Sequence, residues 1–217
     1  MNTYIDHTLL KPDATLAEIK RLCDEAKRYN FASVCINPSY VEFCKNLLQE
    51  SKVKVCTVIG FPLGANSTET KCFETEQALK NGAEEFDMVI NVGWLKDKRY
   101  NELLSEITLL KESIGNHILK VIVEIALLRK DEIVDISKLV SESNADYIKT
   151  STGFKVHGAT LEAVQLFKAN ISGDTKIKAS GGIKDYSTAK AYVDLGVSRI
   201  GTSSGIKIME EFKNTTT

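Results

Sequence analysis

Short β-branched runs alternate regularly with longer amphipathic stretches from end to end of this 217-residue chain, and few folds accommodate such a pattern. Strand-like runs fall at residues 4–6, 33–36, 53–59, 85–90, 119–125, 146–150, 176–180 and 198–201, eight in all. Helical periodicity fills the gaps. Leu16, Ile19, Leu22 and Ala26 recur at steps of three and four, behind a capping-box signal of Thr15 with Glu18. Tyr100, Leu103, Leu104, Ile107, Leu110 and Ile114 make a second stripe, and Ile133, Ile136 and Val140 a third. Gly82, Gly115 and Gly196 stand where an apolar period stops, the place of a helix C-cap. Strand-then-helix units imply a parallel sheet with helical crossovers, and eight of them favour closure into an α/β, single-domain (β/α)8 TIM barrel over an open doubly wound sheet. With no low-complexity segment or Pro/Gly-rich linker, one domain is expected over residues 1–217, with residues 213–217 a flexible tail.

Composition narrows the partners. A formal net charge of −1, with both signs mixed along the chain, gives no footprint for nucleic acid or an anionic membrane, so a small molecule is the expected partner. No apolar run approaches the roughly 18–20 residues needed to span a bilayer, and the start of the chain lacks a signal-peptide layout, which points to a cytoplasmic protein. The five cysteines, Cys23, Cys35, Cys44, Cys56 and Cys72, are odd in number with no C-x-x-C pair and fit reduced thiols. His7, His117 and His157 lack metal-ligand spacing, so no metal is expected.

Strand alternation places candidate chemistry. In the run 145–153 the apolar Ile148 would face the helices, which leaves Lys149 inward at the C-terminal rim, where barrel enzymes keep their active sites. The run 176–182 repeats the arrangement with Ile177 outward and Lys178 inward. Two ammonium groups on neighbouring strands repel, and desolvation disfavours charge, so one of the pair is expected to be nucleophilic near neutral pH; the structural alternative is a barrel ion pair. Asp87 shares a face with Val89 and Asn91, either as a proton relay or as the counter-ion of Lys178 or Lys120. Lys120 and Glu124, on one face of their strand, read as further members of a charge network. Glycine-rich turns at 180–183 and 201–205, after the seventh and eighth strands, suit a phosphate held by backbone N–H groups. An isomerase or synthase barrel using Asp87 and Glu124 as acid and base, and a catalytically silent sugar-phosphate binding barrel, are the alternatives at this point.

The segments IDHTLLKP (5–12), ASVCINP (32–38), CTVIGFPLGANSTE (56–69), EFDMVINVG (85–93), YIKTSTG (147–153), KASGGI (178–183) and RIGTSSG (199–205) run in order along nearly the whole chain. Together they closely resemble the deoxyribose-phosphate aldolase family of class I, Schiff-base aldolases. The resemblance implies a barrel that reversibly cleaves 2-deoxy-D-ribose 5-phosphate to D-glyceraldehyde 3-phosphate and acetaldehyde, without a metal or other cofactor, as a homodimer. It implies Lys149 as the Schiff-base lysine, Lys178 as the lysine that perturbs it and Asp87 as the proton donor and acceptor. Asp6, Cys35 and Lys120 would line the site, and Gly153, Gly181, Gly182, Gly201, Ser203 and Ser204 would bind the phosphate. The chain departs from some members in carrying Phe154 and then Lys155 where they place a lysine directly after the glycine, in having His157 where a small residue is common, and in ending on threonines rather than a tyrosine.

Overall fold

The computed structural model describes residues 1–155 and 157–216. Eight parallel strands close on themselves in sequence order: β1 (Ile5–Leu9), β2 (Ser33–Ile36), β3 (Lys54–Ile59), β4 (Glu85–Val89), β5 (Ile118–Ile122), β6 (Tyr147–Lys149), β7 (Lys176–Ser180) and β8 (Arg199–Thr202), with β8 pairing back to β1. The helices are α1 (Leu16–Tyr29), α2 (Val41–Leu48), α3 (Thr68–Lys80), α4 (Val92–Lys96), α5 (Tyr100–Ile114), α6 (Lys130–Glu142), α7 (Leu161–Asn170), α8 (Tyr186–Asp194) and α9 (Gly205–Thr216). The alternative of an open sheet is excluded by that closure. No described helix is long and apolar enough to cross a membrane.

Local sequence explains the elements. α1 starts at the Thr15–Glu18 capping box, with the Thr15 hydroxyl accepting from Glu18 N–H and the Glu18 carboxylate accepting from Thr15 N–H, and it buries Ile19, Leu22, Cys23 and Ala26. Each large apolar side chain so buried contributes about 1.5–3 kcal/mol. α3 and α8 are followed by Gly82 and Gly196 at φ of 101° and 99°, the left-handed position that ends a helix.

Three boundaries differ from the sequence reading. β1 runs to Leu9, because residues 2–4 form a 3-10 turn while Thr8 and Leu9 pair with Cys35 and Ile36. β5 ends at Ile122, and Glu124 adopts a left-handed φ of 55°. Glu124 therefore leaves the face of Lys120 and is not a member of the interior charge network. α9 carries the backbone to Thr216, since Ile208 and Met209 seat it on the core and the Thr215 hydroxyl donates to the Glu211 carbonyl at 2.7 Å. Of the expected tail, Thr217 lies outside the described residues.

Two layers of side chains result. Between sheet and helices lies one continuous apolar cluster that includes Ile5, Val34, Val55, Phe86, Met88, Val121, Ile148, Ile177 and Ile200, the outward-facing set of the strands. Inside the barrel the filling is lopsided. Cys35, Cys56 and Val58, with Leu10 above them, form a small apolar cluster on the β2–β3 side. Opposite, Asp6, Glu85, Asp87, Lys120, Lys149 and Lys178 are all buried, and Arg199 closes the group from below. A barrel interior that is half charge is costly unless every charge is paired, and a set of this kind is retained for chemistry more often than for stability.

Candidate active site

Register brings the lysines together. Lys149 and Lys178 are direct partners across β6 and β7, Asp87 and Lys120 across β4 and β5, and Asp6 and Gly201 across β1 and β8. Side chains of register partners leave the same face of a sheet, and here that face is the barrel axis.

Asp87 is the hub. Its Oδ2 accepts from Lys149 Nζ and from Lys178 Nζ, each at 2.7 Å, and its Oδ1 accepts from Lys120 Nζ at 2.8 Å. Lys178 also meets Asp6 at 2.5 Å, and Lys120 meets Glu85 at 2.7 Å. Arg199 completes the group below with hydrogen bonds to Asp6 and to both oxygens of Glu85. Lys149 has one carboxylate partner, Asp87, whereas Lys178 has Asp6 and Asp87, and Lys120 has Glu85 and Asp87 within 2.8 Å with Asp6 at 3.9 Å.

The electrostatics follow from this packing. Burial pushes the Asp87 carboxyl upward, but Lys120, Lys149 and Lys178 outweigh it and hold the group well below the usual carboxylate range. Burial likewise raises Asp6, and Lys178, Arg199 and Lys120 outweigh it. Burial lowers Lys178 and Lys120, yet the neighbouring carboxylates, Asp6 first for Lys178 and Asp87 first for Lys120, raise both above an ordinary lysine. Lys120 and Lys178 are thus both held in the charged form.

Cys56 lies against this cluster. Its thiol donates to Asp87 Oδ1 at 3.1 Å and accepts from Lys120 at 3.2 Å, and burial, then Cys35, holds the thiol well above its ordinary pKa. Cys35, Cys56 and Asp87 bring donor atoms within 4.8 Å of one another, but the Lys120 ammonium already fills that corner.

Above the cluster a cavity of about 380 Å³ opens at the C-terminal rim, lined by the ends of β1, β6, β7 and β8 and their loops. Lys149 stands at its floor, and Gly153, Gly181, Gly182, Gly201 and Ser203 are in its wall. Among the described residues the lining includes Lys11, Lys149 and Lys184 and no carboxylate, a composition suited to an anion. Ser204 is not among the lining residues; its N–H donates to Thr202 Oγ1 at 2.9 Å and its carbonyl accepts from Ile208 N–H in the first turn of α9. Lys155 and His157 are exposed and are not among the lining residues.

Two glycines are fixed by close approach. A Cβ on Gly158 would lie 2.2 Å from the Gly181 carbonyl oxygen, so the loop after β6 and the turn after β7 press backbone to backbone. A Cβ on Gly201 would lie 2.9 Å from Ser180 Cβ and 3.1 Å from Lys178 Cε, so this residue makes room for the Lys178 stem. Sequence reasoning passed over Glu85, Arg199 and Cys56 as individual site residues. Glu85 was within reach, two residues before Asp87 on the same face, whereas Arg199 and Cys56 needed the register of the closed barrel.

A closed eight-stranded barrel with buried lysines and carboxylates under an anion-suited cavity at its C-terminal rim defines a TIM-barrel enzyme. Comparison with known proteins gives the particular family: residues 1–210 match the DeoC/LacD family aldolases. The chain belongs to that family. It is 52% identical over 207 residues to the deoxyribose-phosphate aldolase of Staphylococcus carnosus, covering 95% of this chain and 94% of that protein. It is also 52% identical over 212 residues to the deoxyribose-phosphate aldolase of Coprothermobacter proteolyticus, covering 98% and 97%. Among solved structures it superposes on the aldolase QR15 with a TM-score of 0.95 at 41% identity, covering 99% of this chain and 96% of that one. The tetrameric deoxyribose phosphate aldolase of Aeropyrum pernix gives 0.89 at 33% identity, covering 99% and 91%.

Proposed function

We infer that this aldolase acts as a deoxyribose-phosphate aldolase, cleaving 2-deoxy-D-ribose 5-phosphate to D-glyceraldehyde 3-phosphate and acetaldehyde through a Schiff base on Lys149. The observation that carries the reading is the position of Lys149: of the interior cations it has the fewest carboxylate partners, and it alone among them lines the cavity. Making it neutral breaks one ion pair, whereas neutralising Lys120 or Lys178 breaks two or more.

The Lys149 amine adds to the C1 carbonyl, and loss of water from the carbinolamine gives an iminium that serves as an electron sink. The C2–C3 electron pair flows toward it as the C3 hydroxyl loses its proton, which frees glyceraldehyde 3-phosphate and leaves an enamine. Protonation at C2 and hydrolysis then release acetaldehyde and the lysine. Asp87, with Lys178, moves the protons through bound water. While Lys149 is a neutral amine or carbinolamine, Asp87 has lost one of three cations, so its proton affinity rises at the step that needs a proton carrier. The Lys178 ammonium disfavours a second ammonium beside it.

At the far end, the backbone turns at Gly153, Gly181–Gly182 and Gly201–Ser204 hold the phosphate, aided by Lys11 and Lys184 at the mouth. Asp6, Cys35 and Lys120 support from below: Asp6 anchors Lys178, Lys120 anchors Asp87, and Cys35 fills the apolar side. No metal is assigned a role. Five free thiols suit a cytoplasmic setting. The family resemblance assigns a homodimer, which sedimentation velocity distinguishes from the tetramer described for the Aeropyrum pernix protein.

A coupled assay for acetaldehyde release from 2-deoxyribose 5-phosphate tests the reading. Turnover that collapses on the unphosphorylated sugar is expected. Tight binding of the phosphorylated sugar without release would leave a binding module, and release by a Lys149→Met protein would move the chemistry elsewhere.

A further inference from the structure

Glu124 is buried to 2% exposure, and among the described residues no cation lies within ion-pairing distance of it. Its backbone sits in the left-handed region at φ 55°, which a β-carbon disfavours and which persists only where surroundings impose it. The surroundings here are hydrogen bonds. Just past the end of β5, Ile125 N–H donates to the Thr150 carbonyl at 3.0 Å and Leu127 N–H donates to the Glu124 carbonyl at 3.0 Å, so the β5–β6 pairing continues one step beyond the strands while the chain turns away. This turn aims the Glu124 carboxylate at the loop after β6. Its Oε2 accepts from Thr152 N–H at 3.3 Å and from the Thr152 hydroxyl, while Oε1 is buried with no partner. Thr152 Oγ1 in turn accepts from Phe154 N–H at 3.1 Å. Thr152, Gly153 and Phe154 line the cavity, three to five residues after Lys149.

We propose that Glu124 is a positioning residue that fixes the 152–154 turn in its anion-receiving shape through Thr152, taking no part in proton transfer. The proposal rests on the reading of that cavity as a phosphate site. The turn has two anchors. On the β7 side, the Thr150 hydroxyl and the Ser180 backbone bond one another at 3.0 Å in both directions, and the Ser180 hydroxyl donates to the Ser151 carbonyl at 2.6 Å. On the β5 side the described hydrogen bonds to the turn come from Glu124 alone. Releasing that side frees Gly153 and its neighbours to drift from the phosphate while Lys149, held by Asp87 below, keeps its place.

The test uses Glu124→Gln and Thr152→Val, with Thr152→Ser as the conservative rescue. In the first two, the KM for 2-deoxyribose 5-phosphate rises about tenfold or more and the dissociation constant for inorganic phosphate, read by calorimetry, rises in parallel, as expected for losing a hydrogen bond to a charged group. Borohydride trapping with acetaldehyde, which has no phosphate, proceeds at the wild-type rate, and Thr152→Ser restores KM. Should Glu124→Gln fail to fold, Thr152→Val reads the same bond. A fall in kcat with KM unchanged, or loss of one limb of the pH–rate profile, would make Glu124 an acid or base and overturn the proposal. A lower melting temperature with unchanged phosphate affinity would reduce it to a structural residue and also overturn it. If the wild-type protein fails to cleave the sugar yet binds inorganic phosphate, the proposed reaction falls while the role of Glu124 is still read from phosphate affinity; wild-type protein that does not bind phosphate refutes the positioning role.

Discussion

Asp87 accepts hydrogen bonds from three ammonium groups while buried on every side, and that crowding sets what a substitution there should do. Asp87→Asn keeps the shape but removes the counter-charge of Lys120, Lys149 and Lys178. Breaking a buried pair costs about 3–5 kcal/mol, so the variant should melt earlier, and losing a general acid–base group should slow turnover by roughly 10²–10⁴-fold. Acetaldehyde trapping on Lys149 should persist. Steady-state kinetics beside calorimetry check both parts, and near-normal turnover would leave Asp87 a structural hub only. Much of this is legible in the sequence. Alternation alone put Lys149, Lys178 and Asp87 on inward faces, because Ile148, Ile177, Phe86 and Met88 could face only the helices. It went astray at Glu124, where continuing the period through residue 124 overlooked a left-handed turn that no glycine or asparagine marks.

Lys71 and Glu106 show what the element scale adds. They join α3 to α5 in an ion pair of 2.7 Å with both side chains fully buried, and Lys71 also donates to the Val89 carbonyl at 2.9 Å, at the end of β4. Burial pulls Lys71 below an ordinary lysine and pushes Glu106 above an ordinary carboxylate, which signals desolvation that the pairing does not fully offset. Glu106→Gln should therefore destabilise the protein by about 3–5 kcal/mol by stranding a buried ammonium, while the double change Lys71→Met with Glu106→Leu recovers most of that loss. Urea denaturation of the wild type, Lys71→Met, Glu106→Leu and the double variant measures the coupling; additive losses would mean that the two side chains do not act as a pair. This contact was hidden in the sequence. A lysine and a threonine, Lys71 and Thr75, occupy the buried face of α3, so the helix carries little amphipathic signal, whereas α1 and α5 announce theirs with apolar residues.

For the whole molecule, the eightfold alternation was enough to fix the barrel, its parallel order and the rim that holds the cavity. The lopsided interior was less legible, because which charges meet depends on stagger between strands far apart in sequence, as in Arg199 with Glu85 or Lys178 with Asp87. That interior predicts how stability varies with pH. Asp6 and Asp87 have folded-state pKa values below their unfolded values near 3.9, so their contribution is present above that pH and is lost as pH falls below it. Lys120 and Lys178 are raised, so theirs is present below about 10.4 and is lost as pH climbs through the higher folded values. His7, buried beside Glu25, is lowered chiefly by burial, so the unfolded chain takes up its proton first and stability declines as pH drops through roughly 6.5. Scanning calorimetry should show a first loss as pH falls through about 6.5, absent in His7→Gln, and a steeper loss below about 4. A melting temperature flat from pH 7 to 3 would contradict this charge arrangement.

Reductive trapping reads out whether Lys149 forms the covalent intermediate. Treated with acetaldehyde and borohydride, the protein should lose activity as a single two-carbon adduct accumulates, and peptide mass spectrometry should place it on Lys149 while Lys120 and Lys178, each held by two or more carboxylates, stay unlabelled. An adduct on Lys178, or inactivation without any adduct, would show that Lys149 is not the Schiff-base lysine.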